Sequence, residues 1–205
     1  NEHQAGFYIL DVAGHGIPAA MLSVTLSKIL SPISSQGSPL MRFIPNPPHY
    51  DIATPAEAVH ALNQLFQSED DAMHYFTMVY GIVETRSARM LLTQAGHPSP
   101  IYQPRGAKAE LLGTGGFPVG MLLDATYGEL DLTLQPGDRL FLYSDGIPEC
   151  TSKHGEHFSV DRLMTLLEEW RDRPLREVMA GMEHTLERWR GSNEFEDDIT
   201  FLALE

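Results

Sequence analysis

Residues 7–16 read FYILDVAGHG and residues 140–146 read LFLYSDG, so the sequence twice runs a short apolar segment into an aspartate followed by glycine. The apolar runs predict buried strands, and the glycines predict sharp turns behind them. Near the other end, Asp197 and Asp198 stand directly before the apolar residues 199–204. In antiparallel neighbours the end of one strand lies beside the start of the next, so Asp11, Asp145 and this pair can meet at one sheet edge.

Carboxylates that meet at such an edge repel one another, which raises their pKa values or requires a cation between them. Ligands that are all oxygen suit a hard ion such as Mg²⁺ or Mn²⁺. Gly14, Gly16 and Gly146 allow the backbone to turn sharply beside such an ion. A lone aspartate after a strand is more often a turn former or a helix cap, however, and spacing alone does not decide between these interpretations.

The composition is that of a single globular domain without a nucleic-acid partner. The 205 residues suffice for one substantial core, and 42% of them are hydrophobic. The 28 acidic and 14 basic residues give a formal charge of -14, which argues against a surface for nucleic-acid phosphates. The apolar runs are far too short to cross a bilayer, and the single cysteine, Cys150, cannot form an internal disulfide. We therefore expect a cytoplasmic protein that binds neither nucleic acid nor membrane.

Helix and strand patterns along the chain predict an α+β fold. Apolar residues recur at helical spacing in residues 19–30. Thr54 begins a capping box that predicts a second helix, whose apolar face consists of Ala58, Leu62, Leu65 and Phe66. Short apolar segments punctuated by Gly and Pro in residues 75–143 predict an antiparallel sheet region. Two amphipathic helices and a final strand over residues 199–204 follow. Residues 31–48 contain five prolines and are predicted to form a loop without regular structure.

Six motifs in order span nearly the whole chain and resemble those of one bacterial family. They are DVAGHGIPAAML (residues 11–22), QAGHPSPIY (94–102), FPVGM (117–121), LQPGDRLFLYSDGIPEC (134–150), FSVDRL (158–163) and DDITFLAL (197–204). Together they resemble the SpoIIE/RsbU-type serine/threonine phosphatases of the metal-dependent PPM class. The resemblance implies that residues 1–205 form one phosphatase domain, an α-β-β-α sandwich of two stacked antiparallel sheets flanked by helices. It also implies two Mg²⁺ or Mn²⁺ ions at one edge of the sheets.

The same resemblance assigns the site residues by motif. Asp11 would bridge both ions and the Val12 carbonyl would bind the second, while Asp145 and Asp197 would complete the ligands of the first. Asp198 would ligate an ion or orient a water bound to one. Two ions would lower the pKa of a bridging water and screen the phosphate charge while the resulting hydroxide attacks phosphorus in line.

Other residues in these motifs have weaker assignments. His15 is a candidate general acid toward the leaving serine oxygen, although a histidine in a glycine turn is as often a hydrogen-bonding scaffold. Glu149 either supports a metal ligand or is merely solvated, and Cys150 is expected to be a packing residue. His97 is expected to shape a turn between strands, and Ser144 lacks the GxSxG context that would make it a nucleophile.

Members of this family carry a further acidic motif, GGDxYD, just upstream of the DxxGHG strand, and the chain begins at Asn1 without it. We therefore expect a fragment of a longer protein in which one ion binds well and the second binds weakly. The proline-rich residues 31–48 are longer than the family's usual connection, and we expect either a partner-binding flap or an inert insertion.

The leading hypothesis is a Mn²⁺- or Mg²⁺-dependent phosphatase that acts on phosphoserine or phosphothreonine. The resemblance implies a phosphorylated anti-sigma-factor antagonist as substrate, an upstream receiver, PAS or GAF domain, and activation through dimerisation or a shifting helix. A second hypothesis is a phosphatase-like docking module with weak or no catalysis, against which the retained Asp11, Asp145 and Asp197 argue. A third is a metal-dependent phosphohydrolase of a small molecule, which turnover of a metabolite but not of phosphoproteins would favour.

Overall fold

The structure is a computed structural model that describes residues 3–14, 16–31, 38–46, 49–67 and 75–205. Within these ranges the chain forms ten strands and four helices. In chain order they are β1 (Gln4–Val12), α1 (Ile17–Ile29), β2 (Met41–Phe43), β3 (Tyr50–Ile52), α2 (Pro55–Leu65), β4 (Phe76–Glu84), β5 (Arg89–Ala95), β6 (Ile101–Gln103), β7 (Glu110–Leu111), β8 (Leu130–Thr133), β9 (Arg139–Tyr143), α3 (Val160–Glu169), α4 (Leu175–Arg190) and β10 (Phe201–Leu204). They divide into two compact units, the first of Asn1–His97 and Thr114–Thr133 and the second of Pro98–Gly113 and Leu134–Glu205.

The first unit is built on a four-stranded antiparallel sheet in the order β1-β4-β5-β8. Strands β1 and β4 pair along their whole length, so that Asp11 lies opposite Thr77 and Phe7 lies opposite Gly81. A Cβ at Gly81 would lie 2.3 Å from Cζ of Phe7, so a larger residue there would displace that ring. The predicted strand over residues 7–10 is therefore the centre of a longer one.

Helices α1 and α2 belong to the same unit, and local chemistry sets where α2 begins. The Thr54 side chain accepts a hydrogen bond from Glu57 N, and the Glu57 carboxylate accepts one from Thr54 N at 2.8 Å, which confirms the predicted capping box. The prediction of Leu65 on the apolar face is wrong, because its side chain is 58% exposed. The core of this unit contains buried residues from both helices and β4, including Leu22, Leu26, Leu30, Ala58, Val59, Leu62, Phe76 and Met78.

The prediction that residues 31–48 form a loop throughout is wrong at Met41–Phe43. These residues form β2, which pairs with β3 in a two-stranded antiparallel ribbon. Pro39 and Pro45 flank the strand without entering its ladder, so the missing N–H of proline costs no pairing there. Arg42 bonds to Asp51 across the ribbon at 3.0 Å. Residues 32–37 and 47–48 lie outside the described residues.

The second unit carries its own antiparallel sheet, in the order β10-β9-β6-β7. Every residue of β9 is buried, and the strand contains the apolar run of residues 140–143 that predicts it. Helices α3 and α4 supply the predicted apolar stripes, and the buried residues of this core include Phe141, Tyr143, Leu163, Leu167, Trp170, Val178, Met182 and Leu186. Of the helices in the described ranges, none combines the length and the apolar composition that crossing a membrane requires.

Candidate active site

Ser144 joins the two acidic motifs of the second unit. Its N–H donates to the Thr200 carbonyl at 3.0 Å, directly beyond the last residue of β9. Its hydroxyl donates to the Asp198 carbonyl at 2.9 Å and accepts from Thr200 N at the same distance. The SDG turn after β9 is thus fixed to the chain that leads into β10.

Gly146 allows the two segments to approach this closely. A Cβ at this position would lie 2.5 Å from the Asp198 carbonyl oxygen and 3.6 Å from Cβ of Asp197. Its φ lies outside the left-handed region, so space rather than backbone conformation requires glycine here. The structure therefore brings Asp145 and the Asp197-Asp198 pair to the same end of one sheet.

The Asp145 carboxylate is the strongest sign of a ligand site in the second unit. The side chain is half-buried, and its Oδ1 is buried without a hydrogen-bond partner among the residues that the structure describes. A buried carboxylate oxygen without a partner is costly, and a cation or an ordered water removes that cost. Asp197 and Asp198 are exposed beside it, and Asp197 Oδ1 accepts a bond from Asp198 N at 2.8 Å. This donor set, all oxygen, fits a hard divalent cation.

Asp11 and Val12 occupy the last two positions of β1 in the first unit. Asp11 is half-buried. Directly after Val12, Ala13 N donates to the carbonyl oxygen of Tyr75, the residue before β4, at 3.1 Å. Gly14 and Gly16 have φ values of +88° and +84°, which confirms the predicted sharp turn before α1. His15 lies outside the described residues.

Neither unit, within its described residues, groups three or more His, Cys, Asp or Glu side chains that could hold a metal ion. Asp11 belongs to the first unit, whereas Asp145, Asp197 and Asp198 belong to the second. The predicted convergence of Asp11 with Asp145 and Asp197 therefore stays a prediction, as do the roles of Asp198 and His15.

A pocket of about 280 Å³ adjoins the SDG turn in the second unit. Its lining includes Gly146, Glu149, Cys150, His157, Arg190 and Asp197. Glu149 is exposed, and its N–H donates to the Asp145 carbonyl at 3.0 Å, so its backbone closes the turn. Burial raises the pKa of the Cys150 thiol, although Arg190 opposes this, and a neutral buried thiol suits packing. The role of the Glu149 carboxylate stays a prediction.

One further candidate residue has no signal of its own in the sequence. Thr77 stands opposite Asp11 in the β1–β4 ladder, and its hydroxyl lies 2.8 Å from Nδ1 of His97. His97 does have a signal in the sequence, the AGHP motif, but that motif predicts only that His97 shapes a turn. The link between the two residues depends on strand pairing, which the sequence does not display.

Comparisons with known proteins agree on family and fold. The family model of stage II sporulation protein E (SpoIIE) matches residues 1–205. The phosphoserine phosphatase RsbP of Bacillus subtilis (strain 168) is 27% identical over 205 residues, which are 100% of this chain and 46% of RsbP. The chain thus spans about half the length of that relative.

Solved structures of the PP2C type share the fold. The SiaA-PP2C domain of Pseudomonas aeruginosa has a TM-score of 0.75 and 22% identity, over 98% of this chain and 79% of that one. A crystal structure of RsbX in complex with magnesium has a TM-score of 0.66 and 12% identity, over 99% of this chain and 81% of that one. At these identities the likeness concerns the fold alone, and it confirms the predicted α+β, PPM-type architecture.

Proposed function

The chain belongs to the SpoIIE family, and on that premise we propose that it is a Mn²⁺- or Mg²⁺-dependent phosphatase of phosphoserine or phosphothreonine in proteins. The observation that carries the proposal is the Asp145 carboxylate, whose buried Oδ1 has no hydrogen-bond partner among the described residues. A buried carboxylate oxygen that no protein group satisfies needs a cation or an ordered water beside it, which favours a ligand role for Asp145. The similarity to the phosphoserine phosphatase RsbP supports the reaction, and the magnesium in the RsbX structure supports the class of ion.

In this proposal Asp145 and Asp197 hold one ion, and Asp11 and the Val12 carbonyl contribute as their motif implies. A divalent ion bound by these oxygens would neutralise part of the negative charge of the phosphoryl group and would lower the pKa of an attacking water. The chain's own part is to fix the ligands before the substrate arrives. Ser144 and Gly146 do this for Asp145 and Asp197, because they hold the two segments against each other.

We propose a phosphorylated anti-sigma-factor antagonist as the substrate, and a regulatory domain elsewhere in the full protein as the source of control. Family membership supports both parts of this proposal. The exposure of Asp197 and Asp198 is compatible with a bulky protein substrate, since a phosphoserine on a protein surface can reach such a site without a deep cleft.

The test is phosphate release from a phosphoserine protein at increasing Mn²⁺ concentration, together with calorimetric Mn²⁺ binding. Asp145→Asn keeps the size of the side chain and removes its charge, so we expect phosphate release to fall on the order of 100-fold and Mn²⁺ affinity about 10-fold or more. Asp172→Asn is the matched control, because Asp172 is exposed in the same unit and outside every motif. We expect this control to behave like the unmodified chain.

Three results would contradict the proposal. Phosphate release that does not respond to metal or to Asp145→Asn would exclude the proposed site. An unmodified chain that is inactive on phosphoproteins with every divalent ion would favour the docking-module hypothesis. Turnover of a small phosphorylated metabolite in its place would favour the phosphohydrolase hypothesis.

A further inference from the structure

A buried histidine of the first unit is bonded to the strand that pairs with β1. His97 is 2% exposed, and its Nδ1 lies 2.8 Å from the Thr77 hydroxyl oxygen. Thr77 is half-buried near the start of β4. A hydrogen bond at this distance between a ring nitrogen and a hydroxyl fixes the rotamer of the threonine. Without that bond, only packing would set the rotamer of this β-branched side chain.

Thr77 is also the direct partner of Asp11 across the ladder. The register runs through Leu10 opposite Met78, Asp11 opposite Thr77, and Val12 opposite Phe76. Directly opposite residues of an antiparallel pair project to the same face of the sheet, with Cβ atoms about 4.5 to 5.5 Å apart. The side chain that His97 fixes is therefore the same-face neighbour of Asp11.

The backbone around His97 is held by several hydrogen bonds and one close contact. The Gln94 side chain donates to the His97 carbonyl at 2.6 Å and accepts from Gly115 N at 2.9 Å. Gly96 N donates to the Gly115 carbonyl at 3.0 Å, and Gly96 has a φ of +69°. A Cβ on Gly96 would lie 2.7 Å from the ring of Pro118. The QAGHP and GFPVG segments thus pack closely together and fix the position of the His97 imidazole.

We propose that His97 and Thr77 are positioning residues for the Asp11 carboxylate. With Nδ1–H of His97 donating to Thr77 Oγ1, the hydroxyl proton of Thr77 is left for a carboxylate on the same face. The pair then restricts the rotamers of Asp11 so that its oxygens are oriented before an ion binds. This inference rests on the proposed function, in which Asp11 is a metal ligand.

The test measures Mn²⁺ affinity by calorimetry alongside thermal unfolding. Thr77→Val keeps the β-branched shape and removes the hydroxyl, and we expect Mn²⁺ affinity to fall about 10-fold or more. Thr77→Ser restores the hydroxyl, and we expect it to recover most of that loss. Thr93→Val is the matched control, because Thr93 lies in the same sheet and also loses a bond, from its hydroxyl to the Gly128 carbonyl at 3.1 Å. We expect Thr93→Val to lower the melting temperature without changing Mn²⁺ affinity.

The histidine provides a second pair of variants. His97→Asn keeps a nitrogen near the position of Nδ1 and should retain most of the Mn²⁺ affinity, whereas His97→Leu should lose as much as Thr77→Val. Equal Mn²⁺ affinity in Thr77→Val and Thr93→Val would overturn the proposal. So would loss of the fold in both Thr77→Val and His97→Leu, since the pair would then be a folding element. If the unmodified chain binds no Mn²⁺ and releases no phosphate, the proposed function fails instead, so the two failures are distinguishable.

Discussion

The strand ends that carry the predicted metal ligands are fixed in different ways in the two units. In the second unit the motif residues hold themselves, because Ser144 and Gly146 flank Asp145 and contact the Asp197-Asp198 segment directly. In the first unit Asp11 has its same-face neighbour, Thr77, on another strand, and the residue that fixes Thr77 lies beyond β5.

This difference shows what a motif contains. The SDG and DD motifs include both the chemical groups and their support, which are neighbours in the chain. The strand before the GHG turn contains the chemical group, whereas its support comes from residues that only the fold brings near. Variants can therefore separate chemistry from support in the first unit more easily than in the second.

We expect the largest effect from Gly146→Ala. The new methyl group would lie 2.5 Å from the Asp198 carbonyl oxygen, a backbone atom that moves only with its segment. Overpacking of this kind costs about 3 kcal/mol in the free energy of unfolding, and the separation of Asp145 from Asp197 should lower phosphate release on the order of 100-fold. Urea unfolding and the phosphate-release assay measure the two effects.

Gly106→Ala is the control for that substitution. Gly106 lies in the same unit, has open space where its Cβ would be, and has a φ outside the left-handed region. We expect it to be neutral or to stabilise by about 0.5 kcal/mol. If both glycine variants behave alike, close approach of the two acidic segments is not what the second unit depends on.

Ser144→Ala should have the next largest effect. It removes the bond to the Asp198 carbonyl and leaves Thr200 N without its side-chain acceptor. We expect the free energy of unfolding to fall by about 2 kcal/mol and Mn²⁺ affinity to fall several-fold, with metal-saturated activity largely retained. Thr151→Ala, which loses one exposed bond at 3.1 Å in the same unit, should change stability by about 0.5 kcal/mol or less.

That experiment also separates support from chemistry at Ser144. Loss of all phosphate release with Mn²⁺ affinity intact would make the hydroxyl a reacting group, contrary to the prediction that it is not a nucleophile. A fall in Mn²⁺ affinity that excess metal corrects would agree with a supporting role.

The parts of the fold that were predictable from sequence are those whose causes are local. The Thr54–Glu57 capping box places its donors and acceptors three residues apart, so the sequence displays the whole device. The turn glycines Gly14 and Gly16 are similar, because the positive φ of each is a property of one residue. The end of β9 at Tyr143 follows from the apolar run over residues 140–143, which stops at the polar Ser144.

The parts that the sequence did not reveal depend on what lies beside each residue in the folded chain. Met41–Phe43 forms a strand only because a second strand lies beside it, which the surrounding prolines conceal. Leu65 fits the helical period, yet it falls at the C-terminal end of α2, where it stays exposed. Thr77 has no motif, and its place beside Asp11 results from the register of β1 on β4. Register and neighbours of this kind require the fold itself.

Asp138 sharpens the comparison because it is a motif aspartate with every oxygen satisfied. Its carboxylate accepts bonds from the Tyr102 hydroxyl at 2.6 Å, from Arg105 N at 2.8 Å and from Gln135 N at 2.9 Å. Burial alone would raise the pKa of Asp138, but these three bonds together hold the pKa below its ordinary value of 3.8. Burial and the nearby carboxylate also raise the pKa of Tyr102 to about 12, so the phenol stays a donor throughout the neutral range.

Asp138→Asn should therefore lower the free energy of unfolding without changing Mn²⁺ affinity. The amide nitrogen would face a hydroxyl or an N–H that now donates to a carboxylate oxygen, and we expect a loss of about 1.5 kcal/mol in the free energy of unfolding at pH 7. Because the folded-state pKa of Asp138 is lowered, its contribution is complete above pH 3.8 and disappears as the pH falls through the lowered value. The stability difference between the two proteins should thus be constant from pH 7 to about pH 4 and narrow below it.

Urea unfolding across that pH range measures the stability difference. Tyr102→Phe is the control, because it removes one bond to Asp138 and should lose about 1 kcal/mol. A weaker Mn²⁺ affinity in Asp138→Asn would contradict the comparison, because a fully hydrogen-bonded aspartate would then affect metal binding too. The buried Oδ1 of Asp145 would not by itself mark the metal site.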